Sequence, residues 1–202
     1  VVYTQMSRRA FPGVPVVLGG MEASMRRVAH YDYWEDKLKP SIMADAKADV
    51  LVYGMGEVPV REIVKRLRAG RRDFSGIRGT ALFLGGKATA AADFSDCIIL
   101  PSWEELQADK QHLMRLTKVV EAQQTPYSGK RLVQMHGNRA VLQEAPEFPV
   151  DGPDLDALYE LPFARASHPS YTEPVPGFAT IKDSIIVSRG CAGGCTFCGL
   201  GF

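Results

Sequence analysis

The sequence is short of cysteine, with four in 202 residues. That is too few for a disulfide-stapled scaffold, so the fold must rest on an apolar core. It has no excess of either charge: 24 Lys and Arg against 23 Asp and Glu leave a formal net charge of +1. Nothing in that balance asks for nucleic acid or an anionic membrane as partner. No apolar run approaches the roughly 18 residues needed to cross a bilayer. The first residues, Val1-Val2-Tyr3-Thr4-Gln5, lack both the charged and the apolar region of a secretory signal. There is no internal repeat and no low-complexity tract. A cytoplasmic protein without membrane contact is expected, and the missing initiator methionine implies a truncated front. What is present is ordinary. An apolar share of 46% and a charged share of 23% fit a soluble globular chain of one large or two small domains.

The first half reads as α/β. Val14-Pro15-Val16-Val17-Leu18, ended by Gly19-Gly20, is a short apolar run of the kind that makes a buried strand. Asp49-Val50-Leu51-Val52-Tyr53, ended by Gly54-Met55-Gly56, is a second. Residues 41–48 between them have helical composition. Residues 59–68 read as a helix with Ile63, Val64 and Leu67 on one face, Pro59 in its first turn and Gly70 at its stop. Strand, helix, strand, helix at this spacing predicts βαβ units and a doubly wound parallel sheet.

The middle is less regular. Residues 80–84 read as a strand. Ser102-Trp103-Glu104-Glu105 is a capping box opening a helix to about Gln124. Residues 131–135 and 139–143 flank His136-Gly137-Asn138 as a hairpin. Residues 145–153 hold three prolines and read as a linker, residues 155–159 as a short helix, and residues 163–178, with three prolines, as extended or turned. Ser184-Ile185-Ile186-Val187-Ser188 reads as a strand. The expected division is 1–95 as an α/β domain, 96–178 as a connecting segment and 179–202 as the start of a further domain.

That last stretch holds the chemistry. Cys191, Cys195 and Cys198 are spaced C-x3-C-x2-C, so three of the four cysteines fall within eight positions. Disulfides closing such short loops would be strained, and the clustering points to metal. Three thiolates can ligate three irons of one cubane cluster and leave the fourth iron open to another ligand. Gly190, Gly193 and Gly194 let the backbone curl around a cluster and leave N–H groups to bond its sulfurs. Zinc, with a fourth ligand such as His168, and a purely electron-transferring cluster are the alternatives. Cys97, alone in Asp96-Cys97-Ile98-Ile99-Leu100, reads as an inert thiol.

The spacing, with Phe197 before the third cysteine, resembles the signature of radical S-adenosylmethionine (radical SAM) enzymes. The resemblance implies a [4Fe-4S] cluster on Cys191, Cys195 and Cys198, with S-adenosylmethionine chelating the open iron. Gly193 and Gly194 would lie in the cluster loop and Phe197 near the adenine. One electron from the cluster would cleave the sulfonium to give a 5′-deoxyadenosyl radical that abstracts hydrogen from substrate.

Other stretches resemble the YgiQ-type radical SAM family in particular. They are Arg9-Ala10-Phe11-Pro12-Gly13-Val14-Pro15-Val16-Val17-Leu18-Gly19-Gly20-Met21-Glu22-Ala23-Ser24, Arg26-Arg27-Val28-Ala29-His30-Tyr31-Asp32-Tyr33-Trp34, Ala48-Asp49-Val50-Leu51-Val52-Tyr53-Gly54-Met55-Gly56-Glu57, Ile77-Arg78-Gly79-Thr80, Leu100-Pro101-Ser102-Trp103-Glu104-Glu105 and Tyr159-Glu160-Leu161-Pro162-Phe163. Such a family implies an N-terminal α/β region similar to cobalamin-binding domains, then a partial (β/α) barrel carrying the cluster. The substrate, small molecule or macromolecule, stays unknown. The electron donor would be a flavodoxin or ferredoxin. The chain would then be an internal fragment, inactive alone. It would lack the later barrel strands and the segment in which a cobalamin-ligating histidine is sought, so the residues present give cobalamin no support.

The remaining candidates are weaker. Gly54-Met55-Gly56-Glu57 is a tight strand-to-helix turn or an anion contact at a helix N-terminus. Gly19 and Gly20 are a turn or a ligand wall. His30-Tyr31-Asp32-Tyr33-Trp34 reads as packing, against a neighbouring barrel or around a pocket. His168 and Tyr171 precede the cluster strand. Arg61, Lys65, Arg66, Arg68, Arg71 and Arg72 form a basic run that reads as a solvated helix end, with nucleic acid not expected. Two readings from other classes stand beside the radical enzyme, namely a zinc-binding module and a cobalamin carrier.

Overall fold

A computed structural model describes residues 1–186 together with Arg189 and Gly190. The chain divides into two compact units, one of residues 1–149 and one from residue 150 onward.

The elements of the first unit follow in chain order. They are α1 (Val2–Ala10), β1 (Val17–Leu18), α2 (Gly20–Met25), β2 (His30–Asp32), β3 (Lys37–Lys39), α3 (Ile42–Ala46), β4 (Val50–Val52) and α4 (Glu57–Arg68). Then come β5 (Thr80–Leu84), α5 (Gly86–Ala91), β6 (Ile98–Ile99), α6 (Trp103–Ala108), α7 (Gln111–Ala122), β7 (Leu132–His136) and β8 (Arg139–Gln143). Six strands form one sheet in the order β1-β4-β5-β8-β7-β6, and β2 and β3 form a separate hairpin.

The α/β class is as expected, but the sheet is mixed. Only β1–β4 and β6–β7 pair in parallel, whereas β4–β5, β5–β8 and β7–β8 are antiparallel. The expectation of a parallel sheet fails for a definite reason. After α4 runs back along the sheet, residues 69–79 return the chain to the end where β4 stopped. Thr80 then pairs with Val52, and Gly79 accepts a hydrogen bond from the Tyr53 N–H at 2.9 Å. Hydrophobic periodicity marks a strand but carries no sign of its direction.

Register sorts the side chains between two faces. Leu51, Tyr53 and Ala81 pack with Ala23 of α2 and Met43 of α3 on one face. That face continues as Leu132 with Val28, Ala29, Leu100, Leu106 of α6 and Leu116 of α7. On the other face Val50, Val52 and Leu82 meet Ile63 of α4, Phe74 and Ile77. Each fully buried aliphatic side chain contributes about 1.5–3 kcal/mol.

Local signals place the helix ends. Ser41 caps α3, its Oγ accepting from the Met43 N–H. Ser102 and Glu105 make the expected capping box on α6. The single helix expected over 103–124 is two. Asp109 is extended at φ −144°, and its Oδ1 accepts from the Gln111 N–H at 2.9 Å, so the aspartate stops α6 and starts α7. The β7–β8 hairpin is present, with His136 opposite Arg139. Gly137 leads its two-residue loop at φ +61°, the left-handed position that suits glycine.

In the second unit, α8 (Gly152–Tyr159) is capped by Asp151, whose carboxylate accepts from the Asp154 N–H at 2.9 Å, and α9 (Phe178–Ile181) is a single turn. No described residue of this unit is fully buried. Of the strand expected over 184–188, Ser184 to Ile186 form none, and Val187 and Ser188 lie outside the described residues. Among the described residues no helix is long and apolar enough to cross a membrane.

Candidate functional site

The parallel pairing of β1 with β4 sets two strand-end turns side by side. Val17 lies opposite Val50 and Leu18 opposite Leu51, so Gly19-Gly20 and Gly54-Met55-Gly56 leave the sheet at the same end. Gly20 at φ +85° and Gly54 at φ +68° occupy the left-handed region. At Gly56 a Cβ would sit a tight 3.3 Å from Val52 Cγ1, so a larger residue would press on that side chain. The structure thus brings together the four glycines singled out in the sequence, at the start of α2 and of α4. Glu57 follows as the first residue of α4, where a carboxylate suits the helix dipole.

Behind these turns lies a buried polar network that sequence reasoning missed. Arg27 follows α2 and is almost wholly buried. Its Nε donates to Gln143 Oε1 at 2.7 Å and its Nη1 to the Ser24 carbonyl at 2.5 Å. Its guanidinium lies over the Tyr53 ring, and burial lowers its proton affinity. The Tyr53 hydroxyl donates to the Glu144 carbonyl at 2.5 Å, and burial pushes its pKa well above the usual phenol value. Glu144, itself buried, pairs with Arg131 Nε at 3.0 Å and accepts from the Gly76 N–H at 2.9 Å. Glutamine at an inward strand position, Gln134 and Gln143, is the one sequence signal that could have pointed here. Gln134 closes a similar link, accepting from the Ala29 N–H and donating to the Pro101 carbonyl.

His30 and His136, both half-buried, stand elsewhere. His30 on β2 faces the Val28 carbonyl through Nδ1 at 3.3 Å, and burial lowers its pKa. His136, at the end of β7, stacks on Trp103 with centroids 6.3 Å apart and meets the edge of Phe83 at 6.0 Å. Burial lowers its pKa too, against the opposing pull of Glu104 and Asp45. Cys97 is half-buried, its Sγ 3.4 Å from Asp96 Oδ1, and burial raises its pKa to about 11, so the thiol is protonated at neutral pH.

The basic run is largely engaged. Arg66 bonds Glu62 and the carbonyls of Asp73 and Ser75, and Arg72 donates to the Gly13 carbonyl. In the second unit His168 Nδ1 lies 2.7 Å from Ser170 Oγ, and Tyr171 is exposed. Cys191, Gly193, Gly194, Cys195, Phe197 and Cys198 lie outside the described residues. Gly190, which leads into them, sits at φ +85°, a turn that only glycine makes readily. Among the described residues no group of three His, Cys, Asp or Glu could hold a metal ion.

Comparison with known proteins locates the chain. Residues 1–184 match the family model described as radical SAM N-terminal. A UPF0313 protein of Geobacter sulfurreducens is 45% identical over 99% of this chain and 33% of its own length. One from Methanocella arvoryzae is 43% identical over 98% of the chain and 33% of its own length. One from Clostridium botulinum is 38% identical over all of the chain and 31% of its own length. The chain thus spans about a third of the relatives it matches. No solved structure matches it.

Proposed function

The chain belongs to the radical SAM N-terminal family shared with the UPF0313 proteins, and on that premise we propose that the whole protein is a radical SAM enzyme. The observation that carries the proposal is the C-x3-C-x2-C spacing of Cys191, Cys195 and Cys198, which follows directly on the region matched by the family. The donor set fits a [4Fe-4S] cluster with one open iron. Three thiolates fall within eight positions of the sequence, and Gly193 and Gly194 stand among them. When bound, the cluster would supply the single electron that cleaves S-adenosylmethionine and so generates a radical able to abstract hydrogen from substrate.

The chain's own residues have simpler tasks. The three thiolates would hold the cluster. Gly193 and Gly194 would leave room around it and offer N–H groups to its sulfurs. Phe197 would lie near the adenine. Residues 179–202 would open a barrel, and these 202 residues alone are expected to show little or no activity. A flavodoxin or ferredoxin in the cytoplasm supplies the electron. The substrate class is not assigned.

The test is EPR spectroscopy of the full-length protein, reconstituted anaerobically with iron and sulfide and then reduced. The expected result is a [4Fe-4S]⁺ signal that changes on adding S-adenosylmethionine and is lost in Cys195→Ala. Zinc without acid-labile sulfide, or a signal indifferent to S-adenosylmethionine, would overturn the proposal.

A further inference from the structure

Residues 145–149 read as linker from their prolines, yet the structure docks them on the first unit. The Ala145 carbonyl accepts from the Gly79 N–H at 2.8 Å. Pro146 is buried, and its Cδ lies 2.9 Å from where a Cβ on Gly129 would be. Glu147 Cβ lies 3.1 Å from where a Cβ on Gly79 would be. Two glycines, one in each of the loops 76–79 and 123–130, thus leave the room that this segment fills. The second loop is closed on itself. Its Gly129 N–H donates to the Thr125 carbonyl at 2.8 Å, and its Lys130 N–H to Gln123 Oε1 at 3.0 Å.

The far end of the segment is held differently. Phe148 is 45% exposed, and its N–H turns back to the Glu147 carboxylate at 2.9 Å instead of reaching either loop. Its ring makes the attachment. The guanidinium carbon of Arg78 lies 4.3 Å from the ring centroid, and Tyr127 meets the ring edge-on at 5.7 Å. Arg78 Nη2 also donates to the Pro126 carbonyl at 2.8 Å, so one side chain ties both loops to the ring. Its Nε is buried and meets no hydrogen-bond acceptor among the described residues. We propose that the Arg78–Phe148 contact is a latch. Closed, it makes residues 145–148 a strap of the first unit, and the chain comes free only at Pro149, where that unit ends. Open, it releases Glu147 and Phe148 as linker while Ala145 and Pro146 stay docked. The ground is the asymmetry of the two ends. Backbone hydrogen bonding and burial hold the near end, whereas one cation on a ring face holds the far end, so the far end opens first.

A glutamate-specific protease acting on the folded full-length protein tests it, with mass spectrometry reading the cut between Glu147 and Phe148. The protease reaches that bond only when the end of the strap is detached, so the rate reports how often the latch is open. Arg78→Gln removes the cation and leaves the cut sequence untouched. It is expected to speed this cut about five-fold or more, the size of one desolvated cation–π contact. Tyr127→Ala, a change at a ring 79% exposed, is expected to speed it less. The cut after Glu62, inside α4, is expected to stay as slow as in the native protein. A native rate at Glu147 in Arg78→Gln overturns the proposal, because the end of the strap then does not depend on the cation. A cut after Glu62 that quickens in step also overturns it, because the change then loosens the whole unit and the latch is not local. No cluster or cofactor enters the readout, so failure of the radical-enzyme reading leaves this result intact.

Discussion

The guanidinium carbon of Arg27 lies 4.8 Å from the centroid of the Tyr53 ring, and among the described residues no carboxylate pairs with it. Its charge is held instead by the ring face, by Gln143 Oε1 and by the carbonyl of Ser24 at the C-terminal end of α2. All three are neutral groups that turn their negative side toward it, and the helix end adds its dipole. The contact fastens the end of α2 to β4 and β8, which fixes where the two glycine turns sit.

Removing one acceptor from that contact strands a buried charge. Gln143→Leu is expected to cost about 2–3 kcal/mol in urea denaturation, because the Arg27 Nε–H keeps no partner. Replacing both partners, as Arg27→Met with Gln143→Leu, is expected to cost clearly less than the sum of the single changes. Additive effects would mean that the two residues do not act together.

The turn into β5 makes a second prediction. Gly79 has φ +70° and a Cβ there would sit 3.1 Å from Glu147 Cβ, whereas Gly70 has φ +72° with open space around it. Alanine at either position carries the left-handed penalty of about 1–2 kcal/mol. Gly79→Ala adds a steric clash in the strand turn, so it is expected to lose at least about 1 kcal/mol more than Gly70→Ala. Thermal or chemical denaturation of the two variants side by side decides it. Equal losses would mean that the chain near Glu147 gives way freely.

Acid should weaken the fold through His136. Burial holds its folded pKa below the ordinary histidine value, and the facing carboxylates of Glu104 and Asp45 offset this only in part. The unfolded chain therefore takes up a proton first. Stability is fully present above about pH 7 and is lost as pH falls from about 6.5 toward the folded pKa. His30 acts in the same direction. Carboxyl groups held low in the fold, such as Glu62 and Asp73, contribute only below about pH 4.5. Unfolding free energy followed from pH 8 to pH 5.5 should fall for the native chain and fall less steeply for His136→Gln. Parallel curves would remove His136 from the account.

Much of the local structure was legible because its signals sit within a few residues of one another. Ser102 and Glu105 announce the start of α6, and His136-Gly137-Asn138 marks the β7–β8 turn. The break at Asp109 was missed, since helical composition runs straight through it and only the aspartate's own side chain, turned onto the Gln111 N–H, shows the stop. The glycine turns were legible as turns, but nothing local says that Gly19 and Gly54 leave the sheet at one end. That follows from β1 lying beside β4.

By itself the sequence determined the α/β class, the capping box at Ser102, the thiol spacing and, through order and wording along nearly the whole chain, the family. All are properties of short contiguous stretches, where a cap, a turn or a cluster loop needs particular side chains at fixed offsets. Only the tertiary structure decided the direction of β5, the sharing of Arg27 between Tyr53 and Gln143, and the exposure of Tyr33 and Trp34. Arg27 and Gln143 stand 116 positions apart. Such pairs are chosen by the burial of a whole sheet face, which no local pattern encodes.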